Sequence, residues 1–375
     1  MGKKSSHGSG TVYKKGNKYQ GAYYKPDGSR GYVSGKTKTE CRANLRAAMA
    51  DADRGLTFDA GKQTVGEYMD RWLEDFAKPK LAPRTYANYK LQLRQHIIPA
   101  LGHIKLSKLD TPNIQALYTA KDKEMTPSSV RYIHAVLRRG LGKAVDLRLI
   151  PRNPAATAEP PKLTEEELTP LDREQAYAFL DAARGETLEC LYVLSLTCGL
   201  RMGESLGLKW SDIDLDKGTL RVARQLQRSR RIDGVAGKLE FVPPKNDSKR
   251  TIDLPHRAIE ALRSHRVRQN EARLKATNYD DQGLIFATGK GTPLEAQNIV
   301  NRHFKPLLRR AGLPDIRWHD LRHTCATLLL GRVDHKDVQK LLGHKNISIT
   351  IDRYSHWMPD MGKRAADGMD DALGS

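Results

Sequence analysis

The stretch RWHDLRHTCATLLL, residues 317–330, decides how this chain is read. His319, Arg322 and His323 stand at i, i+3 and i+4, the spacing that brings side chains to one face of a helix. Leu321, Ala326, Leu329 and Leu330 fill much of the remainder, so the basic face rides on a helix that packs into a core. Two histidines four residues apart also suggest a metal, but the HExxH pattern is missing and no third ligand follows at the usual spacing. Working outward, LLGHKNISITIDRYSH (residues 341–356) places His344 directly after a glycine and Tyr354 ten residues later. Upstream, TCGLRMGES (residues 197–205) ends an apolar helix at Gly199 and sets Arg201 where the next helix begins. An arginine at such a junction can aim its fork at an oxyanion beside open backbone N–H groups; taken alone it reads first as a structural ion pair. Between these motifs, FVPPKNDSKRTIDLP (residues 241–255) reads as a hairpin with Lys245 opening an Asn246-Asp247-Ser248 turn. A lysine on a mobile hairpin tip can protonate a leaving oxygen, although without its neighbours it is an ordinary exposed turn lysine.

Composition narrows the partner of this cationic set. The 375 residues hold 64 Lys+Arg against 44 Asp+Glu, a net charge of +20 with pI ≈ 9.7, which points to a polyanion: nucleic acid or an acidic membrane face. Mean hydropathy is −0.62. No apolar run approaches the ~20 residues of a spanning helix, and MGKKSSHGSG at the start lacks a signal peptide's apolar centre, so a membrane partner is not expected. Cys41, Cys190, Cys198 and Cys325 are too scattered for a disulfide framework or a CxxC metal site. Ser34-Gly35-Lys36-Thr37 imitates the end of a P-loop, but Arg30 occupies the position of its first glycine, and Gly289-Lys290-Gly291 lacks the Ser/Thr. The composition describes a soluble, cytoplasmic, DNA-facing protein. DNA chemistry without an ATP loop or a carboxylate metal cluster leaves a tyrosine nucleophile as the leading mechanism.

The charge is distributed in blocks. Residues 1–46 hold eleven Lys/Arg and two acids. Within them, alternating aromatic or β-branched and polar residues, broken at Gly16-Asn17 and Pro26-Asp27-Gly28, predict three short strands. A helix follows from about Thr39 to Arg54, with Leu45 and Met49 on one face and Gly55 as its stop. Residues 61–155 read as purely helical: Thr64 and Glu67 fit a capping box ahead of Val65, Tyr68, Trp72 and Phe76. Pro83 opens a helix bearing Tyr86, Tyr89, Leu93 and Ile97; Thr126-Pro127 opens another through Val130, Ile133, Leu137, Leu141 and Val145. Residues 156–170, rich in Pro and Glu, form a linker. Residues 171–375 make a larger domain that begins with a helix capped by Asp172 and carrying Ala176, Phe179 and Leu180. It passes through strands between Gly218 and Leu254, with a long basic connection at residues 227–238, then returns to helices.

In type, order and context the motifs resemble those of the tyrosine recombinases, specifically phage-type, lambda-integrase-like site-specific integrases. LRMGE carries Arg201, PPKNDSKR Lys245, HDLRHT His319 and Arg322, LGH His344, and DRYSH Tyr354. The tyrosine lies ten residues beyond the LGH histidine where some relatives have nine; both spacings occur. The resemblance extends over the whole chain. It implies a mainly α fold with small β-sheets (multidomain α+β), in which an arm-type DNA-binding module at 1–56 and a helical core-binding domain at 61–155 precede the catalytic domain.

The resemblance also implies a mechanism. Tyr354 attacks a phosphodiester in line, leaving a 3′-phosphotyrosyl link and a free 5′-hydroxyl. Arg201 and Arg322, helped by His344, hold the non-bridging oxygens; Lys245 protonates the departing 5′ oxygen, and His319 acts beside Tyr354 as base or orienting partner. Glu204 reads as a support for Arg201 or a neighbouring backbone, or equally as a surface acid. No cofactor and no metal are needed, because the covalent link stores the phosphodiester energy. The partners implied are double-stranded attachment sites of core and arm type, further copies of the chain to a tetramer on DNA, a host DNA-bending protein and an excision factor, in the cytoplasm of a bacterial host at its nucleoid. After the tyrosine, Met358, Met361, Ala365, Met369 and Ala372 form a weak helical stripe suited to docking on a neighbouring protomer. A type IB topoisomerase or a chromosome-dimer-resolving recombinase would share much of this set, and a non-catalytic architectural DNA binder is the alternative of another class. The separate basic N-terminal block favours an integrase over the topoisomerase and the dimer-resolving recombinase, and the presence of all six residues disfavours the non-catalytic reading.

Overall fold

A computed structural model describes residues 10–24, 30–53 (51–53 as backbone), 63–163, 169–229, 237–245, 248–330 and 332–343. The Gly55 stop, the 26–28 turn, His344, Tyr354 and the stripe from Met358 to Ala372 lie outside the described residues. The chain divides into two compact units that part between residues 165 and 166.

In the first unit, β1 (Thr11–Lys15), β2 (Lys18–Tyr24) and β3 (Arg30–Gly35) form an antiparallel sheet in the order β1-β2-β3. Helix α1 (Lys38–Asp53) covers one face, where Tyr23, Leu45 and Ala48 make a small core. Strand alternation turns Tyr13, Tyr24 and Tyr32 to the other, exposed face. Three strands followed by one helix match the pattern read from the sequence.

The helical block has its own core. Thr64 and Glu67 form the expected capping box at α2 (Val65–Arg71), which runs on through a π-helical turn, Trp72–Ala77. Next come α3 (Pro83–Gln92), a second π-helical turn, Leu93–Ile97, and α4 (Ile98–Leu101). Helix α5 (Thr111–Asp122), capped by Asp110 and burying Ile114, Leu117 and Tyr118, is an addition to the helices read from the sequence. Helix α6 (Pro127–Asp146) starts at Thr126 as expected and buries Val130, Ile133, Leu137 and Leu141 against Tyr68 and Trp72. The Tyr68 hydroxyl donates to the Gly140 carbonyl at 2.8 Å, which supplies the polar partner a buried phenol needs.

The second unit is built on one apolar helix. Asp172 caps α7 (Arg173–Ala182), and α8 (Glu189–Thr197) follows with every residue from Cys190 to Leu196 buried. A helix apolar all round belongs in the middle of a core. Around it stand α9 (Met202–Leu206), α10 (His256–Lys275), α11 (Ala296–Ile299), α12 (Lys305–Arg310), α13 (Trp318–Leu329) and α14 (His335–Leu342). Phe179, Tyr192, Phe304 and Trp318 meet at ring-centroid distances of 5.1–6.4 Å, and so anchor the start of α13 in the core. Five short strands separate α9 from α10: β4 (Ile213–Asp214), β5 (Thr219–Val222), β6 (Gln225–Arg228), β7 (Leu239–Val242) and β8 (Arg250–Asp253).

The strands correct one expectation. Residues 241–255 are not a hairpin: β7 pairs with β6, whereas β8 pairs with β5 in the sheet β4-β5-β8. Pro243 and Pro244 have no N–H to donate, so the ladder of β7 stops there and the chain crosses to another sheet. The antiparallel pair here is β6–β7, and Gln227 and Arg228 of the basic connection read at 227–238 belong to β6. Lys245 therefore stands on a crossover. Among the described residues no helix is long and apolar enough to cross a membrane, and no His, Cys, Asp and Glu cluster could hold a metal ion. All four cysteines are buried thiols.

Candidate active site

The site begins where α8 ends. Gly199 has φ +59°, a left-handed conformation that L side chains rarely adopt, and it turns the chain toward α9. Arg201 follows in extended conformation as the cap of α9. The Glu204 carboxylate accepts the Arg201 amide at 3.0 Å and Arg201 Nη1 at 2.6 Å. It also accepts Arg250 Nη2 at 2.9 Å and Arg250 Nη1 at 3.3 Å. Glu204 has no exposed surface, so an unpaired charge there would be costly. Burial pushes its carboxyl up, but the hydrogen bond and charge of Arg250, the charge of Arg201 and its amide outweigh that and hold it at about 2. Glu204 is thus an ionised buried anchor and not a surface acid. The Arg201 side chain keeps 24 % of its surface open.

Arg322 arrives from α13 and is 1 % exposed. Its Nη1 donates to the Gly199 carbonyl at 2.7 Å and its Nη2 to the Leu342 carbonyl. One guanidinium thereby joins the turn before Arg201 to the end of α14. Arg250 Nε donates to the Leu341 carbonyl at 2.7 Å. The last carbonyls of a helix have no intrahelical partner, and here two arginines satisfy them. Gly343 then closes α14 with φ +65° and ψ 45°, a left-handed cap that ends the helix. Val338 and Leu342 of α14 pack on Ala326 of α13, which fixes the two helices to each other.

The face expected to carry His319, Arg322 and His323 divides. His319 is exposed in the first turn of α13 and His323 is buried, with their rings edge-on at 4.8 Å. Arg322 lies about 100° round the helix from His323 and points to the α8–α9 turn. Lys245 is exposed; the Ser248 amide donates to its carbonyl at 3.4 Å, and Gln225 of β6 donates to the Pro243 carbonyl at 3.0 Å. Asn246 and Asp247, in the turn read after Lys245, lie outside the described residues.

Arg201, Arg322, Glu204 and Arg250 therefore form one connected network, in which three guanidiniums outnumber one carboxylate. Such an arrangement can receive an anion. Arg250 escaped the sequence reading. Its available signal was its alternation with Ile252, which turns a charged residue to the inner side of β8 and so demands a buried partner.

Residues 166–360 match the phage integrase family, and residues 64–121 match the N-terminal SAM-like domain of phage integrases. A XerC-like tyrosine recombinase of Caldanaerobacter subterraneus is 32% identical over 354 residues, covering 90% of each chain. An integrase of Saccharopolyspora erythraea is 26% identical over 396 residues, covering 92% of this chain and 90% of its own. Among solved structures, the Tn1549 transposon integrase in complex with a circular intermediate DNA shares the fold at TM-score 0.68 and 20% identity, covering 82% of this chain and 100% of that one. A lambda integrase tetramer bound to a Holliday junction does so at TM-score 0.58 and 21% identity, covering 89% and 95%. The fold and the family-wide match agree: this chain belongs to the phage integrase family.

Proposed function

We propose that this site-specific DNA recombinase cleaves each strand by attack of Tyr354 on a phosphodiester, forms a 3′-phosphotyrosyl link, and rejoins the strand to a new partner. Arg201 and Arg322 neutralise the non-bridging oxygens as charge gathers in the five-coordinate transition state, with His344 as a third donor. Removing a donor of this kind costs about 3–4 kcal/mol of transition-state stabilisation. Lys245 donates the proton that the departing 5′ oxygen takes up, and His319 serves Tyr354 as base or orienting partner. The observation that carries this reading is Arg201: partly open, it is held from behind by an ionised carboxylate that has no exposed surface.

Residues 1–56 serve as the arm-type DNA-binding domain, 61–155 as the core-binding domain, 156–170 as linker and 171–375 as the catalytic domain with its tail. The exposed tyrosines of the N-terminal sheet and the eleven Lys/Arg of residues 1–46 suit a DNA surface. Assembly is a tetramer on paired attachment sites, with the stripe from Met358 to Ala372 docking between protomers. A host bending protein and an excision factor set the direction of integration or excision in the bacterial cytoplasm, at the nucleoid. The experiment is Tyr354→Phe on a nicked suicide substrate. The variant keeps site-specific binding and forms no covalent adduct; a normal yield of protease-sensitive adduct would remove Tyr354 from the mechanism.

A further inference from the structure

Arg250 has no chemical role in the reading above, yet its guanidinium meets three elements that surround the reacting groups. Nη1 and Nη2 engage both oxygens of Glu204, the carboxylate that holds Arg201. Nε holds the Leu341 carbonyl, two residues before Gly343. Nη1 also reaches the Ser248 carbonyl at 3.4 Å, in the crossover that carries Lys245. The side chain is only 8% exposed, and a Cβ on Gly343 would come within 3.1 Å of it.

We propose that Arg250 is a positioning residue for strand cleavage, fixing the Arg201–Glu204 pair, the Lys245 crossover and the end of α14 in one geometry. The inference rests on the assignment of Arg201, Lys245 and His344 to the reacting phosphate. Stability alone is a poor reason for this arrangement, because apolar residues of similar volume often replace a buried ion pair without loss. What apolar residues cannot do is hold a carboxylate and two backbone carbonyls at once. Lysine cannot either, since its ammonium is a single point of charge where the guanidinium is a planar fork. Displacement of a reacting group by about 1 Å costs on the order of 100-fold in rate, so loosening this junction acts on chemistry before it acts on binding.

Arg250→Lys tests this in the full-length chain. Single-turnover adduct formation on a nicked site is expected to fall about 30- to 100-fold. Affinity for the same DNA, measured where the variant remains folded, should stay within about threefold of wild type. Arg250→Gln, which leaves Glu204 still paired with Arg201, carries the same test and should fall at least ~10-fold in cleavage with affinity preserved. Cleavage by both proteins within about threefold of wild type would overturn the role. So would a loss of rate and affinity by the same factor alongside a lowered melting temperature, which marks a merely structural residue. Tyr354→Phe run in parallel separates the two readings. Adduct from that variant would remove the site assignment itself; an inert Tyr354→Phe beside a fully active Arg250→Lys would remove only the positioning role.

Discussion

Gly199→Ala is the substitution from which most follows, because Gly199 serves three purposes within one residue. Its φ of +59° costs an L side chain about 1–2 kcal/mol. A Cβ there would lie 2.6 Å from Leu342 Cδ2 and 3.3 Å from Cys325 Sγ. The first distance is too short to persist, so the Leu342 side chain, fully buried among its neighbours, has to shift or turn. Overpacking of this kind costs about 1–3 kcal/mol, for a total of about 2–5 kcal/mol. The Leu342 carbonyl is the acceptor of Arg322, and Arg322 also holds the Gly199 carbonyl. The strain therefore falls on Leu342, the residue whose carbonyl Arg322 holds. Urea unfolding of the full chain should show the lost stability. Single-turnover cleavage under conditions where the variant remains folded should fall further than DNA affinity does. A loss below about 1 kcal/mol with wild-type cleavage would refute both the left-handed requirement and the coupling of Gly199 to α14.

Three further outcomes are expected. Lys245→Ala should be slow on ordinary DNA and regain much of its cleavage on a 5′-bridging phosphorothiolate, whose sulfur leaves without a proton; absence of rescue would make Lys245 a purely electrostatic group. Glu204 has its folded-state carboxyl lowered from 4.5 to about 2, so its contribution is complete above the first value and lost as pH falls through the second. Glu204→Gln should cost about 3–5 kcal/mol at neutral pH, and the gap in urea stability from wild type should close across that acid window; a constant gap would contradict the ionised pairing. Deleting residues 1–56 should abolish protection of distal arm sites in footprinting while core-site cleavage stays measurable, and retained arm protection would reject the module assignment.

Local rules carried the sequence reading wherever a short stretch contains its own reason. Thr64 with Glu67, Asp172 before α7 and Thr126-Pro127 all mark helix starts that the fold contains, since a cap is a bargain among neighbours in sequence. Helix α5 carried the same kind of signal in Asp110 and Pro112, and its apolar positions Ile114, Leu117 and Tyr118 are spaced for one face. The failures are non-local. Residues 241–255 have hairpin composition, but which strand each half pairs with depends on β5 and β6, and only Pro243-Pro244 hinted at a break. Arg201 and Arg322 were legible as motif residues; that they share a network through Gly199 and Leu342 was not. Arg250 sits 46 residues from Glu204 and 91 from Leu341, so no window of sequence contains its partners.

The burial of the cysteines has a practical side. Cys41, Cys190, Cys198 and Cys325 are all within the cores, and burial pushes the Cys198 thiol up to about 11 and the Cys325 thiol up to about 12. Reagents such as maleimides attack the thiolate, which at neutral pH is then on the order of one molecule in 10⁴ or fewer at these two positions. The native chain is accordingly a dark background for labelling. A single cysteine placed at Tyr177 or Val267, both more than half exposed, would be the fast-reacting thiol of the folded protein. Dyes attached there could follow protomers as they gather and exchange strands, with every natural cysteine left in place.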